Sequence, residues 1–310
     1  MNNLPELKNP FINAKIIGAN IDPQVYHQQD GVRGQKDYVM SRSELCTFAE
    51  CPSKWIEGAT SKDTDATEWG TLMDTMLAGK EAVEKHYIVR PSAYTNEKKE
   101  TKDWNWNANA CKAWREENAK GRKILAPEEW QEAQQAFERL MADKEIADLL
   151  ACSEISVMVV AEYHDKATGL IIPVKILIDI LPARESRFGN CIDDSKTARS
   201  AVPRDWVRAV YEHDYHTQGA LYIDVYNAAT GEMRDTFSHV VQENTFPWQP
   251  ARRFLSQEYL QLGRLAYLDA LKRYCQCLAE NRWPSWDDDG EYNGWTIVEP
   301  EPWMIGKEAA

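Results

Sequence analysis

LIIPVKILIDIL (Leu170–Leu181) and CIDDSKT (Cys191–Thr197) are the two stretches whose reading decides the fold. Each is rich in β-branched residues, and each is bounded by turn chemistry: HDKATG before the first, ARESRFGN between the two. Both therefore read as strands of one meander. Side chains alternate across a strand, so Lys175, Leu177 and Asp179 share one face while Ile176, Ile178 and Ile180 share the other. The isoleucine face should pack on helices, which leaves Asp179 on the more polar side, at the end of its strand. In the second stretch Ile192, Asp194 and Lys196 share a face, and Asp193 and Ser195 point the opposite way. The expected pattern is one acid ending a strand, then an acid and a lysine two apart on its neighbour.

Outward from this pair, SVMVVAEY (156–163) supplies an earlier strand of the same meander. Downstream, DWVRAVYEHDYHTQGALYIDVYNA (205–228) reads as an amphipathic helix closed by Ala229-Thr230-Gly231. TFSHVVQEN (236–244) reads as a strand, and a long helix is expected from about Gln249 to Asn281. Upstream, SRSELCTFAECPSKW (41–55) looks like a helix with Ser41 as N-cap, Glu44 completing a capping box and Pro52 marking its end. TEWGTLMDTMLAG (67–79) puts Trp69, Leu72, Met73, Met76 and Leu77 on one helical face. Residues 90–125 are irregular, and Pro127-Glu128-Glu129 opens a helix running to about Leu150. Residues 1–37 are polar and aperiodic and read as an N-terminal arm; 38–310 read as one domain with an insertion at about 80–150. This order predicts a mixed α/β fold with a small central sheet flanked by helices.

The constellation of Asp179, Asp194 and Lys196 suits metal-assisted phosphodiester hydrolysis. Two carboxylates hold a hard, oxygen-preferring cation such as Mg²⁺, for which Mn²⁺ substitutes. A cation there polarises a phosphoryl oxygen and acidifies a bound water. A lysine beside it positions that water and offsets the charge that develops in the transition state. The Ser195 backbone carbonyl is a further candidate ligand. A D-x-K pair alone is more often a solvated surface feature. Here Asp179 lies one hairpin upstream, and Gln218 and Tyr222 follow on a helix, stacked a turn apart.

These residues resemble a known family. Asp179, then D-S-K-T-A at 194–198, then Q-x-x-x-Y at 218–222 is similar to the RecB-type branch of the PD-(D/E)xK nuclease superfamily. Aspartate in place of the usual glutamate is similar to the RecE-like exonucleases of phages and prophages, the exodeoxyribonuclease VIII group. SRSEL…CPSKW resembles that family's first helix, WGTLMD (69–74) its G-x-x-x-H helix, and CLAENRWPSW (277–286) its closing helix and tryptophan–proline turn. The resemblance spans roughly residues 40–300. It implies a restriction-endonuclease-like core with helical additions, Asp179 and Asp194 as metal ligands, Lys196 as the catalytic lysine, and Gln218 and Tyr222 organising the site or contacting DNA. It also implies a Mg²⁺-dependent exonuclease that digests linear double-stranded DNA from its ends, 5′ to 3′, leaving 3′ single strands for an annealing protein in recombination. The related enzymes are ring-shaped, so a homo-oligomer, a tetramer, is expected, acidic outside with a basic channel. Asp74 stands where the family carries a metal-binding histidine; it is either a third carboxylate ligand or a solvated helix acid. Two rivals stay open: an endonuclease of the same superfamily, and an inactive nuclease-like module that binds DNA or protein.

Composition bounds these expectations. The chain has 310 residues, 43% of them hydrophobic, enough for a sizeable core. No apolar run approaches the roughly 18 residues of a membrane span. MNNLPELKNPFINAK lacks the layout of a signal peptide, so a cytoplasmic protein with no membrane partner is expected. The net charge of −13 runs against nucleic-acid binding, which normally needs a basic face. Carboxylates clustered for metal binding soften that objection, as do basic stretches at Lys98, Lys99 and Lys102, at Lys112 to Lys123, and at Arg199, Arg204 and Arg208. Ser41, Arg42 and Ser43 sit at a helix N-terminus, where a terminal phosphate is readily held. The cap explains Ser41, which leaves Arg42 and Ser43 as DNA-binding candidates together with Arg199. Trp104 and Trp106 either stack on bases or, as is commoner, pin their loop. Glu162 is a fallback ligand that reads more simply as a hairpin-edge carboxylate. The seven cysteines lack zinc-finger spacing and read as reduced thiols. Cys51 precedes a proline as in iron–sulfur nucleases, but Cys275-x-Cys277 is the wrong spacing, so no cluster is expected.

Overall fold

The computed structural model describes residues 8–28, 31–59, 65–286, 288 and 299. β1 (Phe11–Gly18) comes first, then a single helical turn, α1 (Pro23–Tyr26), capped by Asp22 and begun by Pro23. Residues 11–18, expected within an aperiodic arm, thus form an edge strand paired to the segment 153–164. Its pattern hid it. Only Phe11 is buried, Ile12, Ile16 and Ile17 stay exposed, and Asn13 at φ 51° accompanies a register shift that interrupts the alternation.

β2 (Met40–Ser41) leads directly into α2 (Arg42–Glu50) and α3 (Pro52–Ile56). Ser41 accepts from the Glu44 N–H at 3.3 Å, as an N-cap should. The other half of the expected capping box does not form. The Glu44 carboxylate instead takes hydrogen bonds from Arg33 (2.9 and 3.0 Å), the Tyr38 hydroxyl (2.6 Å) and the Trp55 indole (2.7 Å). Burial opposes its ionisation, yet these donors hold it below the usual range, and the network fastens the chain before β2 onto α2. Pro52 ends α2, because Cys51 is extended, and also begins α3.

α4 (Asp65–Leu77) and α5 (Lys80–His86) precede β3 (Tyr87–Val89), β4 (Ala93–Thr95), β5 (Thr101–Asp103), α6 (Asn109–Asn118) and β6 (Lys123–Leu125). The stretch expected to be irregular is therefore a small subdomain, with β3 parallel to β6 and β4 antiparallel to β5. α6 escaped notice because it buries Cys111 alone and has no side-chain cap. α7 (Pro127–Met141) and α8 (Lys144–Ala151) divide the single helix expected there, as Asp143 caps the second through the Glu145 and Ile146 N–H groups.

Then come β7 (Ser153–His164), β8 (Ile171–Pro182), β9 (Cys191–Ala198), α9 (Pro203–Glu212), α10 (Tyr215–Thr230), β10 (Thr236–Glu243), β11 (Pro250–Phe254) and α11 (Gln257–Glu280). β7, β8 and β9 form the expected antiparallel meander, and β10 returns parallel to β9 after the α9–α10 crossover. Two boundaries differ from expectation. Asp214, left-handed at φ 52°, splits the crossover into two helices, and residues 250–254 pair with β10 as an edge strand before Ser256 caps α11. The sheet order is β1-β7-β8-β9-β10-β11, with β2 pairing β8 from the side. This is a restriction-endonuclease-like mixed α/β fold. Ile176, Ile178 and Ile192 enter the main core with α10 and α11, whereas Ile180 packs with Leu140, Ile146 and Leu149 of α7 and α8. α11 can lie directly on α10 because a Cβ at Gly263 would come 2.0 Å from the His216 carbonyl oxygen. Among the described residues no helix is long and apolar enough to cross a membrane.

Candidate active site

One edge of β8 is paired by β7 along its length. The other edge is shared: β9 pairs at Ile180↔Asp193 and β2 at Val174 and Lys175. Asp179 lies in the fork between these two strands. On the β7 side the ladder skips Ser156, which stands at φ 52° and gives its carbonyl to the Ile21 N–H at 3.1 Å. The register is kept across it, so the break is a local interruption of the ladder opposite Asp179. The Asp179 carboxylate accepts the Ser195 N–H at 3.0 Å, a bond that a backbone carbonyl would make in a regular ladder.

Asp194 is 1% exposed and Lys196 is partly exposed. Lys196 Nζ donates to Asp194 Oδ2, and to the Ser195 carbonyl at 3.1 Å. Gln218 Nε2 donates to Asp194 Oδ1 at 2.6 Å. Gly70 brings the next acid in. A Cβ there would stand 3.1 Å from Thr197 Oγ1, so glycine lets α4 approach β9 closely. One turn later Asp74 comes within hydrogen-bonding reach of Ser195. The structure therefore brings Asp74, Asp179, Asp194 and Lys196 to one cleft.

Their ionisation follows from crowding. Burial, then the charges of Asp194 and Asp74, pushes Asp179 well above the usual carboxylate range. Asp74 is open to solvent on one side, but the protein packed around its other sides, with Asp194 adding, pushes it up to about 6. Burial also works against Asp194, yet the Lys196 ammonium more than offsets it and holds it low. Lys196 is raised: burial disfavours its charge, and Asp194 and Asp179 overcome that. The site carries more negative charge than one ammonium neutralises.

A hard divalent cation fits this chemistry. The acids supply only oxygen donors, and the buried Gln218 Oε1 has no hydrogen-bond partner among the described residues, so a polar acceptor faces inward unsatisfied. Among the described residues no three acidic, histidine or cysteine side chains already converge on one point. Mg²⁺ does not need such a cage, since it keeps several waters and binds through one or two carboxylates plus substrate phosphate. Asp179, Asp194 and Asp74 are the side chains that would hold it. The Ser195 carbonyl, expected as a further ligand, faces the lysine here.

The remaining sequence candidates divide. Tyr222 is buried over the site, its ring edge-on to Phe237 at 6.2 Å, and burial with the nearby Tyr26, Asp194 and Asp179 raises its hydroxyl well above the usual range. Arg42 lies over the Tyr215 ring at 5.9 Å and donates to the His213 carbonyl, while its buried Nε has no partner among the described residues. Ser43 is exposed beside it, and its hydroxyl is 3.2 Å from that of Ser41. Arg199 is exposed beyond β9 and is not drawn into the cleft by any bond among the described residues. Glu162 accepts from Asn13 at 2.6 Å on β7 and belongs to the β1 edge. Two neighbours of the site were missed. Tyr215 holds the Lys196 ammonium 5.4 Å from its ring centre and stacks on Trp206 at 5.5 Å. It is three residues before Gln218, so a stripe Tyr215, Gln218, Tyr222 was there to be read. His239 pairs in register with Asp194, is fully buried with both ring nitrogens unpartnered among the described residues, and burial lowers it to about 3.

A forked mixed sheet that presents D…D-x-K acids to a Q-x-x-x-Y helix defines a protein of the PD-(D/E)xK nuclease superfamily. The chain belongs to the family described as "PDDEXK-like domain of unknown function" (DUF3799), which matches residues 39–293. It is similar in fold to the crystal structure of a "Putative exonuclease" from Eubacterium rectale, with a TM-score of 0.55 and 14% identity over 94% of this chain and 100% of that one. No curated protein matches the chain. The match fixes the superfamily without selecting its RecE-like group.

Proposed function

We propose that the protein is a Mg²⁺-dependent exonuclease acting on linear double-stranded DNA. The observation that carries this reading is the crowding of Asp74, Asp179 and Asp194 around one lysine in an opened sheet edge. A bound Mg²⁺ supplies Lewis-acid polarisation of the scissile phosphate and a water acidified for attack. The chain's own residues do the rest. Gln218 fixes Asp194 through Oδ1, and Asp194 in turn orients Lys196. Because Lys196 is held protonated, it acts as a fixed positive charge against the developing phosphorane charge and not as a general base. Arg42, at the N-terminus of α2 beside the fork, is placed to meet a phosphate of the bound strand.

The resemblance to RecE-like enzymes supports digestion from ends, 5′ to 3′, in a ring-shaped homo-oligomer that hands a 3′ strand to an annealing protein in the cytoplasm. Incubating linear duplex DNA with Mg²⁺ and either the natural chain or Lys196→Ala tests the core of this. Digestion by the natural chain alone supports it. Nicking of closed circular DNA would replace the exonuclease by an endonuclease. Absence of digestion under several metals and end structures would replace it by an inert binding module, the reading that Asp74 in the family's histidine position favours.

A further inference from the structure

The subdomain between α5 and α7 carries a groove of about 1110 Å³, lined by α6, the turn after it and β6. Five of its lining residues are cations and one is an acid, Glu116, in a chain whose net charge is −13. Two of the cations are already engaged. Arg122 donates to the Asn118 carbonyl at 2.8 Å and so closes the end of α6, and Lys123 pairs with Glu68 of α4 at 2.7 Å. Lys112, Arg115 and Lys120 are exposed, and their side chains have no hydrogen-bond or ion-pair partner among the described residues. Lys112 and Arg115 are three apart on α6 and share a helix face.

Trp106 adds an aromatic wall. Trp104 is the residue that pins this segment: its N–H donates to the Ser92 carbonyl at 2.9 Å, and its ring meets Trp114 at 5.3 Å and the Arg90 guanidinium at 5.6 Å. Trp106 meets Trp104 edge-on at 5.4 Å and is left 45% exposed. Pinning the loop does not account for that open ring.

We propose that this groove binds an unpaired nucleic-acid strand, with phosphates on Lys112, Arg115 and Lys120 and a base stacked on Trp106. Unpartnered cations and an open aromatic ring side by side are what a single strand needs, since every base offers a π-face and every linkage an anion. A duplex hides its base faces and has no use for the ring. The groove is tied to α4, the helix that carries Asp74, through Lys123 and Glu68, which lies about 9 Å along that helix from Asp74. The assignment rests on the nuclease reading only in taking the strand to be DNA.

The test is anisotropy of a labelled oligothymidylate titrated with the full chain in EDTA, which removes cutting from the measurement. The natural chain is expected to bind, Trp106→Ala to bind about tenfold more weakly, and Trp106→Phe to recover most of the difference. Reversing Lys112, Arg115 and Lys120 together to glutamate should weaken binding further and flatten the salt dependence by about two in slope. Unchanged oligothymidylate binding by these variants would overturn the proposal, as would an equal loss of blunt-duplex binding in Trp106→Ala. Thermal unfolding like that of the natural chain shows that the variants are folded. Digestion is scored separately. A natural chain that cuts nothing, but whose oligothymidylate binding is lost in Trp106→Ala, would refute the nuclease reading and leave the groove standing.

Discussion

Asp193 and Asp194 are neighbours on β9, and their side chains leave the strand on opposite faces into two different electrostatic settings. Asp193 is fully buried and held by Arg252 through Nε at 2.8 Å and Nη2 at 3.0 Å, with the Ser238 hydroxyl donating as well. Burial pushes its carboxyl up even so, and the same contact pushes Arg252 up. The two shifts point in opposite senses for the pair, and the bidentate geometry decides for an ion pair that bears its desolvation cost jointly. That face is closed and satisfied. On the other face Asp194 shares one ammonium with Asp179 and Asp74, and among the described residues Gln218 keeps a buried orphan oxygen and no side chain completes the balance. One strand thus carries an acid that serves the fold and an acid that waits for a ligand. Both have donors on their oxygens; the difference is that Asp194's cation is shared among three carboxylates.

The sharpest break of this comparison is exchange of one acid for its amide on each face. Asp179→Asn should lower DNA digestion by about a thousandfold, the scale of losing a charge-stabilising group, while leaving the chain as stable or more so, because its ionised form is held at a cost. Asp193→Asn should do the reverse, costing about 3 kcal/mol of stability in denaturant titrations, since it leaves the buried Arg252 with only its longer ion pair to the exposed Glu145 at 3.6 Å. Adding Arg252→Met to it should recover much of the loss, as both charges are then gone. Digestion per folded molecule should survive. Should Asp179→Asn unfold the chain, or Asp193→Asn be silent in both assays, the division between the faces would be wrong.

How much of this division could be read in the sequence follows from the same physics. Alternation alone put Asp194 and Lys196 on one face and Asp193 on the other, because a strand's period is fixed by its backbone. Asp179 was legible as an acid on its strand's more polar face, but it does not end the strand as expected, since β8 runs on to Pro182, and the fork that exposes it was not legible. That depends on β2 and β9 sharing one edge of β8, and on Ser156 breaking the other, neither of which leaves a local pattern. Arg252 was hidden inside a stretch expected to be helical, since five residues with a leading proline carry little period of either kind. β1 was invisible for the opposite reason: its apolar residues are present but point outward. Gly70 and Asp74 could be seen as a spacing, while the close approach that gives the spacing its meaning belongs to tertiary contact with Thr197.

A smaller effect concerns pH. Asp74 and Asp179 bind protons more tightly in the folded chain than in the unfolded one, so the folded state holds more protons between the ordinary carboxylate range and, for Asp74, about 6. Stability of the metal-free chain should therefore fall as pH rises through that window, the reverse of the usual acid denaturation. Mg²⁺, added at higher pH, should restore it by binding the ionised acids. Urea midpoints at pH 5 and pH 7.5, with EDTA or Mg²⁺, check this. Asp74→Asn should remove part of the slope, and a slope unaffected by that substitution and by the metal would show that the acidic face is not a coupled cluster.

The smallest expected effect lies at the border of the two settings, where Tyr215 lends its ring to the Lys196 ammonium. A cation–π contact of this kind contributes about 0.5–2 kcal/mol, depending on its desolvation. Tyr215→Leu should therefore slow digestion by about tenfold, whereas Tyr215→Phe, which keeps the ring and its stacking on Trp206, should stay near the natural rate. If Phe were as slow as Leu, the hydroxyl and not the ring would be what matters, and the lysine would be positioned by Asp194 alone. If both were silent, the aromatic wall would be packing with no hold on the charge, and the working face of β9 would reduce to its acids, its lysine and Gln218.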